Sequence, residues 1–372
     1  MNRDKPAERI DRMLSIREIL KEAVSLGASD IFVVTGAPVS FKVFGNVMPT
    51  NNETVLPADS ERLMTELFEL AEIKTSADSL KRETDFSFSY AGVGRFRVNV
   101  YRQRGTLAAV LRSVPFELPD SAGLHIPEEI LSLADNQNGI ILVTGAAGSG
   151  KSTTLTCMIN KINTSRTGHI VTIEDPIEFL HKHNKSIISQ REIGIDTESY
   201  SNALRAALRQ SPNVILLGEM RDNETMSIAM TAAETGQLVL STLHTLGAAN
   251  TIDRIIDGFP TNQQQQIRMQ LSMVLRAVVS QQLLPDTNGT LYPVFEIMEV
   301  NSAIRTMIRE NKTHQIETVM QTSQGMQTMD TAVFKLFTNG IITAETAENY
   351  ASSPAMMAKK IELFRDGRLK SR

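Results

Sequence analysis

Residues Gly145 to Ser152 read Gly-Ala-Ala-Gly-Ser-Gly-Lys-Ser and fit the pattern G-x-x-x-x-G-K-[ST] at every fixed position. Glycines let a backbone turn tightly and approach phosphate oxygens with no Cβ in the way. Consecutive N–H groups at a helix N-terminus then form a nest for an anion. In that arrangement Gly145, Gly148, Ser149, Gly150 and Thr153 frame the phosphates and Lys151 sets its charge on the β- and γ-phosphates. Ser152 offers a hydroxyl to Mg²⁺. At average residue frequencies the pattern arises by chance in roughly one or two chains of this length per hundred, so its surroundings decide. A strand-like "GIILV" precedes it and a helix-like "STTLTCMINKI" follows.

A phosphate cradle hydrolyses nothing alone; one carboxylate must help hold the metal and another must orient water. "NVILLGEMRD" places Glu219 after an apolar run, in the form of a Walker B strand end. "VTIEDPIEF" places Glu174, Asp175 and Glu178 after another, and "STLHT" places His244 at the end of a third. Each cluster alone could be a surface turn, and a lone strand-end histidine is more often structural. Together, after a phosphate cradle, they read as one site.

The elements that must position these residues follow from the apolar pattern. "GIILVTG", "GHIVTIED", "NVILLGE" and "QLVLSTLH" are short apolar runs ending in polar residues, separated by helical segments. That is the pattern of a parallel sheet with functional groups at its strand ends, an α/β fold. Upstream, Met13 to Leu26 has helical spacing with Gly27 as its stop, and residues 58–80 read as a second helix. "DIFVVTGAPVSFKVFGNVMP" reads as short strands, and "TDFSFSYAGVGRFRVNVYRQRGTLAAVLRSVP" as strands ending near Pro115 with a hairpin at Arg104–Gly105. Residues 1–114 thus form a small α/β domain, 115–122 a proline-rich linker, and 123–372 the phosphate-binding domain, mostly helical from about 291. Gln263–Gln266 reads as an exposed helix face.

Composition narrows the function classes. The 372 residues carry a formal net charge of -4, which argues against whole-chain nucleic-acid binding. One cysteine, Cys157, allows neither an intrachain disulfide nor a cysteine-rich zinc site and fits a reducing compartment. The charged start "MNRDKPAERIDRMLSIREIL" has no signal-peptide stretch, and no run of about 18 apolar residues is present, so no direct membrane insertion is expected.

At this point the sequence resembles the PilT/VirB11 class of secretion and pilus ATPases, and within it the PilT-type pilus retraction ATPases. Carrying the resemblance are "LGASDIFVVTGAPVSFKVFGNVMP", "RFRVNVYRQRG", the Walker A segment, "TIEDPIEF", "QREIGIDTESYSNALRAALRQSPNVILLGEMRD", "TAAETGQLVLSTLHTLGAANTIDRIIDGFP", "AIRTMIREN" and "GMQTMD". It implies an N-terminal PAS-like domain, a C-terminal RecA-like domain and a homohexamer using ATP and Mg²⁺. The ring would be cytoplasmic, peripheral to the inner face of the cytoplasmic membrane through an inner-membrane pilus platform protein. A paralogous retraction ATPase is a candidate partner; nucleic acid is not. By the same resemblance Glu178 matches the catalytic base, Glu219 the Walker B glutamate on the Mg²⁺ side and His244 the histidine near the γ-phosphate. Arg97, Arg112 and Arg104 match N-domain arginines that reach the nucleotide. Phe96, Val98 and Val100 alternate to one strand face, which turns Arg95 and Arg97 to the other.

Departures from the family's wording are few. Gln237 stands where the family usually has histidine; an amide keeps hydrogen-bonding capacity but cannot take a proton. Ala146-Ala147 replaces a frequent Pro-Thr, and neither position supplies an essential charge. The pilus extension ATPases usually carry a four-cysteine zinc site, which one cysteine excludes. "AIRTMIRE" is close to the retraction wording and is amphipathic, with Ile304, Met307 and Ile308 as an apolar stripe and Arg305 and Arg309 on another face. PilU-type accessory ATPases and type IV secretion ATPases remain alternatives, as do an ATP-binding regulator and a DNA translocase. The full complement of Glu178, Glu219 and His244 argues against the regulator, and the acidic balance against the translocase.

Overall fold

A computed structural model describes residues 15–43, 45–73, 83–114 and 118–368. Two compact units emerge, Met1–Glu117 with Glu178–Leu180, and Leu118–Ile177 with His181–Arg372.

In the first unit, Ser15 starts the helix Ile16–Ser25 through a capping box: its side chain accepts from Glu18 N, and Glu18 accepts from Ser15 N at 2.8 Å. Ile16, Ile19, Leu20 and Ala23 are its buried stripe, and Gly27 turns the chain out at φ +66°. Met13 lies outside the described residues. The second helix runs Pro57–Leu70, shorter than the 58–80 expected; residues 74–82 lie outside the described set. Six strands form one antiparallel sheet: β1 Asp30–Val34, β2 Pro38–Val43, β3 Asn46–Thr54, β4 Thr84–Tyr90, β5 Gly94–Gln103 and β6 Thr106–Val114. Their order is β3-β2-β1-β6-β5-β4. Arg104 and Gly105 join β5 to β6 with both φ values positive (48° and 82°), the backbone a two-residue hairpin needs. Phe96, Val98 and Val100 are buried with Leu63 and Leu67 of the second helix, as the alternation requires.

The second unit is built on seven strands: β7 Gly139–Thr144, β8 His169–Glu174, β9 Ile187–Glu192, β10 Val214–Leu217, β11 Leu238–Leu243, β12 Leu275–Pro285 and β13 Leu291–Glu299. The order is β13-β12-β7-β11-β10-β8-β9, and every neighbouring pair is parallel except β12–β13. Both faces are covered. Ile140, Leu142, Ile215 and Leu217 pack into one core with the helices Tyr200–Ala207, Asn223–Glu234, Ala248–Asp257 and Thr261–Val274. Ile141, Val143, Leu216 and Leu240 pack into another with the helix Lys151–Ser165. Burial on both faces is why these strands read as unbroken apolar runs. On the Thr261–Val274 helix, Gln263, Gln265 and Gln266 are exposed and Gln264 is half-buried.

One boundary differs from the sequence reading. Residues 291–299 form β13, not a helix, paired from Leu291↔Pro285 to Glu299↔Ala277. The turn before it is tied by Asp286, which accepts from Asn288 N and Thr290 N at 2.8 Å each. Tyr292, Val294, Phe295 and Ile297 are β-favouring residues against a strand already in place. Helices begin only at Ser302.

Candidate active site

Strand β7 ends at Thr144 and the next helix begins at Lys151, so Gly145–Gly150 is the loop between them. Gly145, Gly148 and Gly150 hold φ values of 145°, 77° and 88°. A Cβ on Gly145 would collide with the Gln281 carbonyl and sit 2.7 Å from Ser149 Oγ; on Gly150 it would sit 2.8 Å from Gln281 Nε2. Glycine is therefore required at both for room as well as for conformation. Lys151 is buried and Nζ donates to the carbonyls of Gly145 (2.9 Å) and Ala146 (2.7 Å), inside the curve of the loop. No side chain caps this helix, so its first N–H groups face the loop. Ser149 Oγ is buried with no hydrogen-bond partner among the described residues. An uncapped helix end, a buried ammonium and an orphan hydroxyl fit a phosphate group. Ser152 and Thr153 lie half-buried in the first helical turn.

Gln281 is a positioning residue that the sequence did not mark. It comes from β12, next to β7, and its Oε1 accepts from Thr154 Oγ1 at 2.8 Å. Its one sequence signal is a polar break, which includes Ser280 and Gln281, between the apolar runs of a long strand. Gln281→Leu should leave the buried Thr154 hydroxyl unpaired and remove the amide beside Gly150. We expect a stability loss of about 1–3 kcal/mol by thermal unfolding, together with weaker nucleotide binding. Wild-type values for both would remove Gln281 from the loop's support. Beside the loop lies a cavity of about 710 Å³ lined by Gly150, Thr153, Thr154, His125 and Tyr292, the last two stacked at 4.6 Å. Its size suits a nucleoside.

Because β7, β11, β10 and β8 are consecutive and parallel, their C-terminal ends bring the other groups to one edge. Glu219 follows β10 and is partly buried. One of its oxygens contacts Arg221 and the other lies 3.5 Å from His244 Nε2, past the end of β11. Arg221 also stands 3.9 Å from Asp175, past the end of β8. Glu174 accepts from Thr172 Oγ1 (2.6 Å) and Gln190 Nε2 (3.3 Å), which fixes its carboxylate. A Cβ on Gly218 would sit 2.8 Å from the Tyr200 hydroxyl, so that hydroxyl presses on the strand end. Burial first, then the charges of Asp175 and Glu219, push the Tyr200 pKa up and keep the phenol protonated. Past His244, the half-buried Glu296 accepts from Ala248 N (2.6 Å) and Met329 N (3.2 Å), fastening the start of the helix that follows.

The structure brings Glu219, His244 and Asp175, all singled out in the sequence, to one edge of the sheet and sets Arg221, which the sequence did not mark, between Glu219 and Asp175. Lys151 and Ser152 start the helix after the neighbouring strand β7. Glu178 is exposed and makes no hydrogen bond or ion pair among the described residues. Arg97 and Arg112 face each other across β5 and β6, and Arg112 Nε donates to the buried Asp30 at 3.0 Å. Arg104 sits on the hairpin turn, seven residues along from Arg97, about 23 Å at strand rise, and is exposed. Gln237 precedes β11 at the end opposite His244, about 20 Å away along the strand, and accepts from Thr235 Oγ1. Its amide therefore has no place in the strand-end cluster of its own subunit. Gln237→Ala and Gln237→His should both keep turnover within about twofold, since surface substitutions away from special features cost little. A strong loss in phosphate release from Gln237→Ala would contradict this placement. Arg305 and Arg309 also part company: Arg309 is exposed, while Arg305 is half-buried with Nε enclosed, lining a cavity with Arg276. The long Arg305 side chain buries part of its stem at that cavity while Arg309, four residues on, stays in solvent.

A parallel sheet covered on both faces, with a phosphate loop after one strand and a carboxylate and histidine after its neighbours, defines a P-loop nucleoside triphosphatase. The chain belongs to the type II/IV secretion system protein family, whose sequence model matches residues 4–291. It is an ATPase of that family. It is similar to the type IV pilus retractation ATPase PilT of Pseudomonas aeruginosa, 42% identical over 344 residues that cover 92% of this chain and 99% of that protein. It is also similar to the type IV pilus ATPase PilU of the same organism, 38% identical, covering 94% of this chain and 92% of that one. A crystal structure of the pilus retraction motor PilT with bound ADP superposes with a TM-score of 0.83 at 46% identity, covering 92% of this chain and 99% of that one. Among the described residues no helix is long and apolar enough to cross a membrane. No group of three or more His, Cys, Asp or Glu side chains among the described residues could hold a metal on its own.

Proposed function

We propose that this chain is the ATP-hydrolysing subunit of a homohexameric motor that retracts type IV pili. The ring would work in the cytoplasm, against an inner-membrane platform protein. The observation that carries the reading is the near full-length likeness to PilT in sequence and in fold. The nucleotide's phosphates sit in the Gly145–Ser152 loop with Lys151 turned onto them, and the base enters the cavity beside His125 and Tyr292. Mg²⁺, when bound with the nucleotide, neutralises phosphate charge. Ser152 and Glu219 would hold it, one hydroxyl and one carboxylate, with phosphates and water completing the shell. That oxygen-donor set suits Mg²⁺, which is rarely caged by protein alone. His244 faces the γ-phosphate, Glu178 takes the proton of the attacking water, and Arg97 and Arg112 supply positive charge to the transition state, with Arg104 in a lesser part. Neutralising arginines from a separate domain would tie hydrolysis to domain motion.

Surface pili counted in a deletion strain test the reading. More pili with lost twitching supports retraction, and absence of pili overturns it in favour of extension. A separate prediction concerns output. Arg305→Ala with Arg309→Ala should keep ATPase activity and hexamer mass while twitching is lost, because both side chains lie far along the sequence from the strand-end cluster. The stability cost should be about 1 kcal/mol, mostly from the half-buried Arg305 stem. Normal twitching in the double variant overturns the output role.

A further inference from the structure

Both oxygens of the Glu219 carboxylate are engaged by cationic or hydrogen-bonding groups, Arg221 on one and His244 on the other. Glu219 is held inside, with its side chain only 15% exposed, whereas Arg221 reaches it from solvent at 64% exposure. The two partners are therefore unequal. An exposed guanidinium loses little by leaving an ion pair, but a partly buried carboxylate without a cation is costly. Arg221 also has a second carboxylate within reach, Asp175 at 3.9 Å. Changing partners needs only side-chain rotation. The backbone that follows is fixed, because Asp222 caps the next helix by accepting from Thr225 N at 2.8 Å and Thr225 Oγ1 at 3.1 Å.

We propose that Arg221 is the resident counter-ion of Glu219, a cation that the nucleotide's divalent metal must displace, and that the freed guanidinium moves to Asp175. The proposal rests on the reading that Glu219 faces the metal. A divalent ion and a guanidinium repel one another when they share one carboxylate, so the two occupy it in turn. Metal entry would then do two things at the strand ends: it charges the nucleotide site, and it transfers a positive group from the end of β10 to the end of β8. Without Arg221, the empty carboxylate would be paid for by His244 alone and would take a metal more readily.

The test is metal binding, not turnover. Mn²⁺ is titrated by electron paramagnetic resonance into ADP-loaded full-length protein, wild type against Arg221→Gln, Arg221→Lys and Glu219→Gln, with circular dichroism melting as a folding check. Arg221→Gln is expected to bind Mn²⁺ about tenfold more tightly, because the competing charge is gone. Arg221→Lys, which restores a cation, should return most of the way to wild type. Glu219→Gln should bind Mn²⁺ more weakly than wild type. Unchanged or weaker Mn²⁺ binding in Arg221→Gln, alongside a weakened Glu219→Gln, overturns the counter-ion proposal and leaves the metal assignment standing. Wild-type Mn²⁺ affinity in Glu219→Gln removes the metal assignment itself, and the counter-ion proposal with it.

Discussion

Lys151→Ala is expected to lower ATP turnover on the order of 10²-fold or more while the chain stays folded. The ammonium sits buried within the loop, 2.9 Å from the Gly145 carbonyl and 2.7 Å from that of Ala146. A phosphate entering the loop meets a charge already placed, with little reorganisation left to do. Alanine removes that charge and leaves two carbonyl oxygens facing the phosphate, so the site changes from attractive to repulsive. Helix propensity does not suffer, since alanine is the best helix former. Phosphate release and nucleotide binding on purified protein, with a melting curve as control, measure the effect. Near-wild-type turnover in a folded Lys151→Ala protein would remove the loop as the nucleotide site.

The second large effect is expected from the carboxylates, and it separates two roles. Glu178→Gln should bind ATP normally and hydrolyse it some 10²- to 10⁴-fold more slowly, because an amide matches the size but cannot accept water's proton. Glu219→Gln should also fail, but through the metal: its loss should shrink as Mg²⁺ is raised, whereas that of Glu178→Gln should not. Glu219 is partly buried among Arg221 and His244, and Glu178 is exposed, so the two carboxylates already differ in surroundings. Single-turnover hydrolysis and ATP binding at several Mg²⁺ concentrations distinguish them. Normal turnover in Glu178→Gln, with a loss in another carboxylate of the same segment such as Asp175→Asn, would move the base assignment to that neighbour.

Local chemistry was legible in the sequence. The Gly145–Ser152 loop, the apolar strands and the polar residues closing them all report on neighbours within a few positions, where spacing and geometry are the same thing. The hairpin at Arg104–Gly105 was legible for that reason, since a two-residue turn needs residues that tolerate positive φ. So was the burial of Phe96, Val98 and Val100, which follows from a period of two.

What needed the tertiary structure was pairing between distant segments. Strand β12 enters the sheet beside β7 from more than a hundred residues away, and only that adjacency makes Gln281 part of the phosphate loop. β13 follows for the same cause: its residues 291–299 bond to β12, so a segment that local pattern assigned to helix became a strand. Strand direction decided Gln237, which flanks the same short strand as His244 yet stands at its opposite end. Side-chain reach decided Arg305, which the helical wheel placed with Arg309 and which the fold half-buries at a cavity beside Arg276. The order β7-β11-β10-β8 brought Asp175, Glu219 and His244 to one edge and left Arg221 between two carboxylates. A sequence specifies residue types and local periods. Which strand lies beside which is a long-range packing outcome, because burying these apolar faces against one another determines the order, and that order sets which side chains meet.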